Sequence, residues 1–279
     1  MGGDASVSRD GPLLTLTTDE VTLVLNCRRG LAIEALSFAS TGGDPLCGTL
    51  KHGFYDDIHW GADFYSGMTV LESPGRPKLT DLNRVEPAVG RDVLRRAGTG
   101  APAQDGALVV QGEVAMDLGP VVKTICIVGS SVELTYRLEW SEMPVGSLRL
   151  GDITLHPKAF DRATLFYRCH NGGRQPETFT LDGTRVAHGD AVSFLVSASH
   201  AVGITERVVE LGDASRTIRV EVDKTLAAVV GMVTFQPIRD SYFCRLSFSA
   251  AEVDETRRQT NVGRLEPIVC RFLITARRS

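Results

Sequence analysis

Hydrophobic and polar residues alternate along most of this chain with a period of two. Between 132 and 140, the apolar Val132, Leu134 and Tyr136 alternate with the polar Glu133 and Thr135, as expected for a β-strand with one buried face. Similar segments, mostly bounded by Gly, Asp, Asn or Pro, predict strands at 12–17, 21–26, 31–38, 106–115, 121–128, 147–156, 163–170, 177–181, 192–197, 202–210, 217–222, 227–235, 242–250 and 265–275. This succession of strands predicts stacked antiparallel sheets.

The alternation is interrupted in a few places that carry their own predictions. Within 147–156 the apolar positions change phase across Gly151-Asp152, which predicts a β-bulge. Short helical turns are predicted only at 91–96 and 250–258. The stretch 73–105 is the longest one without a clear strand pattern, and a loop of that length in a compact domain usually carries function or is mobile.

The composition is that of an ordinary globular protein able to bury a large core, with 279 residues, 43% hydrophobic and 23% charged. We expect one β-sandwich domain over 1–279. Because the net charge is −4 and the 30 basic residues are scattered, the sequence predicts no nucleic-acid partner. The first ten residues lack the apolar segment of a signal peptide, and no apolar run is long enough to span a bilayer, which predicts a cytoplasmic protein without membrane contact.

The six cysteines are spaced too widely for a CxxC motif, which excludes zinc ribbons and thioredoxin-like redox motifs. Cys126 and Cys270 lie within apolar segments, where a free thiol acts as a small hydrophobic group. Cys169 precedes His170, but neighbours on a strand point to opposite faces. The sequence therefore predicts structural cysteines.

Two segments resemble carbohydrate-related β-sandwich domains. Segment 26–38 places a turn with Gly30 before an apolar strand near the start of the chain, which resembles the galactose mutarotase-like supersandwich. Segment 166–179 contains Phe166-Tyr-Arg-Cys-His-Asn-Gly-Gly173 followed by Glu177-Thr-Phe179. It is similar to an element of the C-terminal β-sandwich domains of glycoside hydrolase families 57 and 38. The resemblance implies an all-β fold, a large antiparallel β-sandwich, and a sugar or glycoside as ligand.

True aldose epimerases carry a His-Pro-Tyr-Phe type element, which supplies an acid histidine, and a Glu-Pro element near the C-terminus, which supplies a base. This chain has His156-Pro157 without the following Tyr, and Glu266-Pro267 in a predicted strand. Both elements are loose matches, so this resemblance does not transfer the epimerase residues directly.

Residues 52–75 hold the densest group of chemically reactive side chains in the sequence. Between 52 and 67 there are two histidines, three aspartates and several aromatic residues. Aromatic rings stack on the C–H faces of sugars, and carboxylates and imidazoles bind their hydroxyls. A segment buried only for packing would not normally carry so many charges, because each buried charge needs a partner. The cluster therefore predicts part of a sugar-binding site.

Opening a sugar ring at its anomeric carbon needs a base and an acid, tasks that suit a carboxylate and an imidazole. If 163–170 is a strand, Arg168 and His170 share one face at its rim, and Glu177 begins the next strand where it would face them. The predicted catalytic residues are His52, Asp57, His170 and Glu177. The predicted substrate-binding residues are His59, Trp60, Asp63, Tyr65, Glu72, His156 and Arg168.

Several alternatives stay open at this stage. The aspartates Asp56, Asp57 and Asp63 would also suit a divalent cation such as calcium, although their spacing matches no EF-hand; no other cofactor is predicted. The sandwich would also suit a non-catalytic carbohydrate-binding or assembly domain, associated with a glycosidase subunit or with further copies of itself. Serine hydrolase, phosphate-loop and dinucleotide-binding motifs are absent from the sequence.

Overall fold

The computed structural model describes residues 5–50, 65–90, 107–170, 172–183, 201–204, 206–252 and 266–279. These residues form strands and two short 3₁₀ turns, Ala39–Thr41 and Arg162–Thr164, and contain no α-helix. In chain order the strands are β1 (Ser6–Asp10), β2 (Leu13–Thr17), β3 (Val21–Asn26), β4 (Ala32–Phe38), β5 (Pro45–Gly48), β6 (Thr69–Glu72), β7 (Leu79–Thr80), β8 (Ala88–Val89), β9 (Leu108–Val114), β10 (Val121–Val128), β11 (Ser131–Leu138), β12 (Ser147–Thr154), β13 (Phe166–His170), β14 (Pro176–Thr180), β15 (Ala201–Ile204), β16 (Val208–Gly212), β17 (Arg216–Val222), β18 (Val230–Ile238), β19 (Ser241–Ala251) and β20 (Ile268–Arg278).

The strands form three sheets in which neighbouring strands run antiparallel. The predicted all-β antiparallel sandwich is thereby confirmed. The five-stranded sheet has the order β1-β2-β3-β4-β5. The nine-stranded sheet has the order β14-β13-β16-β17-β20-β11-β10-β9-β8, and the six-stranded sheet the order β15-β18-β19-β12-β6-β7.

Alternation predicted most strands well, and the differences have physical reasons. The segment 202–210 was predicted as one strand but forms β15 and β16, which lie in different sheets and are separated by a bend at Glu206-Arg207. The helical turn predicted at 250–258 is wrong at its start, because β19 continues through Ala251. The unpredicted β1 is exposed throughout and so lacks a buried face to reveal it. The predictions at 91–96 and 192–197 lie outside the described residues.

The nine-stranded and six-stranded sheets pack face to face through an apolar layer. Phe272 of β20 stacks on Phe248 of β19 with ring centroids 4.4 Å apart, and it meets the ring of Tyr136 edge-on. Buried apolar residues of all three sheets form one continuous cluster. Removing the apolar surface of these residues from water is the main favourable contribution to folding. Alternate residues of the six-stranded sheet must therefore point away from this layer.

The β-bulge predicted in β12 is present. The register between β12 and β19 shifts between Leu150 and Ile153, and Gly151 adopts a φ of 65°, a left-handed conformation that favours glycine. The backbone N–H of Gly151 donates to Met68 O at 3.0 Å. The bulge adds one residue to the strand, so the polar Asp152 and Thr154 both leave from the side opposite to the apolar layer.

We expect Gly151→Ala to lower the free energy of unfolding by more than an alanine substitution at an uncrowded left-handed glycine does. An alanine at a positive φ costs about 1–2 kcal/mol, and the new Cβ would lie 3.2 Å from Phe272 Cε2, which forces that packed ring to move. Gly129→Ala is the matched control, because Gly129 has a φ of 53° and no heavy atom within 4 Å of the added Cβ. Urea unfolding measures the free energy of unfolding of both variants. Equal decreases would show that the contact with Phe272 adds no cost.

Candidate functional site

One side of the six-stranded sheet is polar although little of it is exposed. The residues that face this way follow from the register, in which Arg149 lies opposite Ser249, Thr154 opposite Arg245, and Ser147 opposite Glu72. A buried polar group is costly unless it has hydrogen-bonding partners. We call this side the polar face; it consists of Glu72, Ser147, Arg149, Asp152, Thr154, Phe243, Arg245, Ser247 and Ser249.

Arg245 of β19 is fixed in the middle of the polar face. Its Nη1 lies 3.5 Å from Asp152 Oδ2, its Nε donates to Thr154 Oγ1 at 2.8 Å, and its guanidinium lies over the Phe243 ring at 5.3 Å from the centroid. Arg245 is only 6% exposed and Asp152 only 3%. A guanidinium held in this way keeps a defined direction.

Arg149 of β12 is the second arginine of the polar face and lies among carboxylates and hydroxyls. Its Nη1 is 3.4 Å from Glu72 Oε2 and its Nη2 is 3.2 Å from Glu252 Oε1. Ser147 Oγ and Ser249 Oγ donate to the Glu252 carboxylate at 2.6 and 2.7 Å. Within the described part of the chain, the buried Arg149 Nε has no hydrogen-bond partner.

Among the described residues, six charged groups on and beside the polar face balance. Arg149, Arg245 and Lys78, which pairs with Glu72 at 2.9 Å, face the carboxylates of Glu72, Glu252 and Asp152. Each carboxylate among these three therefore has a cation beside it. The face offers fixed donors and acceptors without a net charge from these six groups.

The segment 66–68 holds the bulge that supplies Asp152 to the polar face. Gly67 N donates to Asp152 O at 2.7 Å, and Thr154 N donates to Ser66 Oγ at 3.2 Å. These bonds, together with the one from Gly151 to Met68, fix the backbone of the bulge on both sides. The position of the Asp152 carboxylate thus depends on where Gly67 is held.

A buried lysine holds Gly67. Lys123 Nζ donates to Gly67 O at 2.8 Å and to Gly30 O at 2.7 Å, and it lies 2.8 Å from Asp81 Oδ2. Tyr136 Oη also donates to Gly67 O at 3.0 Å. Lys123 is 2% exposed and Asp81 is fully buried. Burial lowers the pKa of Lys123, while the charge of Asp81 and its hydrogen bond act in the opposite direction.

Of the residues predicted as a site from the sequence, Glu72 lies on the polar face, paired with Arg149 and Lys78. Tyr65 is half-buried, with the guanidinium of Arg29 over its ring at 5.7 Å from the centroid. The remaining members of the 52–67 cluster lie outside the described residues, namely His52, Asp56, Asp57, His59, Trp60 and Asp63.

His156 lies two residues after the end of β12. Its backbone N–H donates to Leu46 O at 2.8 Å, and its Nδ1 accepts a hydrogen bond from Lys158 N at 3.3 Å. Burial lowers the pKa of His156, and the charge of Lys158 lowers it further. The imidazole is therefore neutral at pH 7, and it can accept a proton only by becoming charged in a half-buried position.

The hairpin of β13 and β14 lies at one edge of the nine-stranded sheet, on a different sheet from the polar face. Arg168 Nε donates to Thr178 Oγ1 at 2.8 Å, and His170 Nδ1 contacts Gly173 O at 3.3 Å. Glu177 lies opposite Cys169 in the register, so its side chain leaves from the other face of the sheet than Arg168 and His170. The expectation that Glu177 faces these two residues is not met.

Sequence reasoning missed Arg149, Asp152 and Arg245. The sequence did offer an indication of them, because each is a charged residue at a polar position of a predicted strand whose other residues are mostly apolar or small. What alternation alone could not show is that both strands lie side by side in the sheet, which brings the three charges onto one face.

The cysteines match the structural role predicted for them. All six are free, and all except the half-buried Cys126 are buried. Burial raises the pKa of Cys47 and of Cys270 to about 12, and it also raises the pKa of Cys169. A thiol with a raised pKa forms little thiolate at neutral pH and is a poor nucleophile.

Within the described ranges no helix is long and apolar enough to cross a membrane. They also contain no group of three or more His, Cys, Asp or Glu side chains arranged to hold a metal ion. The aspartates predicted to bind calcium lie outside these ranges, so that interpretation stays a prediction.

Three antiparallel sheets around one apolar layer, with a polar side on the six-stranded sheet, form a galactose mutarotase-like β-sandwich. Solved structures of such proteins match nearly the whole chain. A galactose mutarotase-like protein from Clostridium acetobutylicum is 6% identical, with 100% of this chain and 99% of that chain covered and a TM-score of 0.55. A proposed aldose 1-epimerase from Escherichia coli K12 is 11% identical, with 99% and 100% covered and a TM-score of 0.53.

A galactose mutarotase-like protein from Lactobacillus casei is 8% identical, with 95% of this chain and 99% of that chain covered and a TM-score of 0.52. Identities this low establish the fold alone. No protein-family model matches the sequence, and no curated protein matches it. The resemblance to sandwich domains of glycoside hydrolase families 57 and 38 stays a prediction.

Proposed function

We propose that this protein is a carbohydrate-acting enzyme whose sugar or glycoside binds on the polar face. The observation that carries the proposal is the pair of buried arginines, Arg149 and Arg245, each fixed by carboxylates on one side of the six-stranded sheet. Sugar hydroxyls both donate and accept, so a face with fixed charged donors and acceptors binds them through strong charge-assisted hydrogen bonds. The mutarotase-like and epimerase-like names of the matching structures support a sugar as the ligand.

The balanced charge of the polar face favours an uncharged sugar over a sugar phosphate or a sugar acid. An anionic ligand needs a surplus of positive charge near its acidic group, whereas Arg149 and Arg245 are already matched by Glu72, Glu252 and Asp152.

The proposed chemistry is acid-base catalysis by an imidazole and a carboxylate, as in an epimerase or a glycosidase. In the described part of the chain, His156 is a neutral imidazole at the end of β12, the strand that also carries Asp152. The residues predicted from the sequence as further members of this site are His52 and Asp57 for catalysis, with His59, Trp60, Asp63 and Tyr65 for binding. His170, Glu177 and Arg168 stay predictions from the sequence and lie on the nine-stranded sheet, apart from the polar face. Aspartates 56, 57 and 63 would hold calcium if a cation takes part.

A second candidate is a carbohydrate-binding domain without turnover, associated with a glycosidase subunit. One observation favours it: Asp152, Glu72 and Glu252 each lie beside a cation. Carboxylates fixed by cations in this way serve as oriented acceptors for sugar hydroxyls, a role that binding alone requires.

Calorimetric titration of the purified protein with a panel of neutral monosaccharides and oligosaccharides tests the binding. We expect saturable binding of at least one sugar, weakened about tenfold or more by Arg149→Gln, because a charge-assisted hydrogen bond contributes about 1.5–3 kcal/mol. Arg271→Gln is the matched control: this arginine lies on the nine-stranded sheet and also faces two carboxylates, Glu133 and Asp223, at 3.7 and 3.6 Å.

Turnover separates the two candidates. Polarimetry follows the interconversion of anomers, and a reducing-sugar assay follows the cleavage of glycosides. Binding together with turnover supports the enzyme, and binding without turnover across the panel selects the binding domain. If no neutral sugar binds the wild-type protein, or if Arg271→Gln weakens binding as much as Arg149→Gln does, the polar face is not the ligand site.

A further inference from the structure

Three arginines from three strands share one carboxylate on the outer side of the nine-stranded sheet. The side chain of Glu210 in β16 is only 9% exposed. Its carboxylate lies 3.3 Å from Arg168 Nη1, 3.5 Å from Arg219 Nη1 and 3.4 Å from Arg277 Nη2. We call Arg168, Arg219 and Arg277 the outer arginine cluster.

The positive charge of the outer arginine cluster is not balanced. Arg219 also contacts Glu221 at 3.4 Å, and Arg207 pairs with that same glutamate. These four arginines, including Arg168 and Arg277, therefore share two carboxylates. Arg207 also acts on the carboxylate of Asp223, which pairs with Arg271, and Arg271 faces Glu133 as well. The five arginines and four carboxylates of this wider network leave one positive charge, in a protein whose net charge is −4. Like charges held this closely repel one another, and an additional anion would relieve the repulsion.

One guanidinium of the cluster is already ordered for binding. Arg168 donates from Nε to Thr178 Oγ1 at 2.8 Å, contacts Glu210, and lies over the Phe166 ring at 5.0 Å from the centroid. An arginine held in this way loses less side-chain entropy when it meets a carboxylate or sulfate. Arg219 and Arg277 are 44% and 64% exposed, so their unused N–H groups reach solvent.

Two members of the cluster, Arg168 and Arg219, belong to a row of polar side chains that crosses six neighbouring strands. Adjacent strands lie about 4.8 Å apart, so such a row extends about 24 Å across the sheet. Hydroxyl groups stand at both ends of the row and guanidiniums near its middle. In register, the row consists of Thr178, Arg168, Glu210, Arg219, Thr275 and Ser131.

We propose that this row is a docking surface for an acidic polysaccharide, whose uronic-acid carboxylates bind the outer arginine cluster while neighbouring sugar hydroxyls bind the flanking threonines and serine. Guanidinium and carboxylate match each other in charge and in planar geometry. An extended polymer fits a row longer than any single sugar. The surface lies on a different sheet from the polar face, so it goes beyond the proposed function and does not depend on it.

An acidic polysaccharide fits this surface better than single-stranded nucleic acid does. Binding of nucleic-acid bases relies on exposed aromatic rings for stacking. Among the described residues no Phe, Tyr or Trp is fully exposed, and Phe166 in this region is buried beneath Arg168. Hydroxyl side chains instead occupy the positions beside the arginines.

Affinity electrophoresis and calorimetry with polygalacturonate, at low and at physiological salt, test the proposal. We expect binding that weakens with salt and that falls about tenfold in Arg219→Gln, since hydrogen bonds to charged groups are strong. Arg137→Gln is the matched control: Arg137 lies on the same side of the same sheet, is 39% exposed, and pairs with the single carboxylate of Glu139 at 3.0 Å. This control should bind like the wild type.

Four outcomes would overturn the proposal. They are no binding of polygalacturonate to the wild type, equal losses in Arg219→Gln and Arg137→Gln, tighter binding of a DNA strand or an acidic peptide of equal charge, and loss of polygalacturonate binding in the polar-face variant Arg149→Gln. The last outcome would place the acidic glycan on the polar face, so a failure here is distinguishable from a failure of the proposed function. Binding that survives Arg149→Gln supports the separate surface.

Discussion

Arg245→Gln should cost about 3–5 kcal/mol of unfolding free energy, the range measured when one partner of a buried ion pair is removed. The substitution takes away the cation beside Asp152, which is 3% exposed, and also the donor to Thr154 Oγ1. If the polar face binds a sugar, the same variant should lose at least about tenfold in affinity. Urea unfolding and calorimetric titration measure the two effects separately.

The double variant Arg245→Gln/Asp152→Asn distinguishes stability from binding. Removing both charges avoids leaving Asp152 as a buried anion without the Arg245 cation, so part of the lost stability should return. Sugar affinity should not return, because neither charged group is present to bind hydroxyls. If the double variant binds sugar as tightly as the wild type does, the ion pair between β12 and β19 serves only the fold.

Lys123→Met should destabilise the protein by about 3–5 kcal/mol, since it leaves the Asp81 carboxylate buried without its ammonium partner. From the described residues, the Asp81 carboxylate would retain the hydrogen bond that its Oδ1 accepts from Thr69 N at 2.9 Å, together with any solvent that enters. The double variant Lys123→Met/Asp81→Asn keeps this acceptor and removes the charge. We expect it to be more stable than Lys123→Met alone in urea unfolding.

Tyr136→Phe is the reference for Lys123→Met. It deletes one hydrogen bond to Gly67 O, 3.0 Å long, and keeps the ring that packs against Phe272, so we expect a loss of about 1 kcal/mol. A Lys123→Met variant no less stable than Tyr136→Phe would show that the buried ion pair contributes little beyond its neutral hydrogen bonds.

Much of the fold could be predicted from the alternation of apolar and polar residues, because a strand with one buried face requires an apolar residue at every second position. The bulge at Gly151-Asp152 could also be predicted from the sequence, since it shifts the apolar residues of β12 from one set of alternate positions to the other. Strands that are exposed, such as β1, or only two residues long, such as β7, carry no such pattern. The bend that divides 202–210 between two sheets depends on packing partners far away in the chain.

The candidate site was less predictable, because it depends on which strands become neighbours. The sequence places Glu72 and Arg149 far apart, and only the pairing of β6 with β12 brings them together. The hairpin with Arg168 and His170 was correctly placed at the end of a strand, yet the order of the nine-stranded sheet puts it at an edge. Local pattern cannot supply that order.

The position of Lys123 has a consequence for the kinetics of folding. Its ammonium group joins β10 of the nine-stranded sheet to Gly30, in the turn before β4 of the five-stranded sheet, and to Asp81 and Gly67, beside the six-stranded sheet. These bonds can form only when all three sheets have met. Interactions that form after the rate-limiting step slow unfolding without speeding folding, so this lysine would lengthen the lifetime of the assembled sandwich and leave the time needed to build it unchanged.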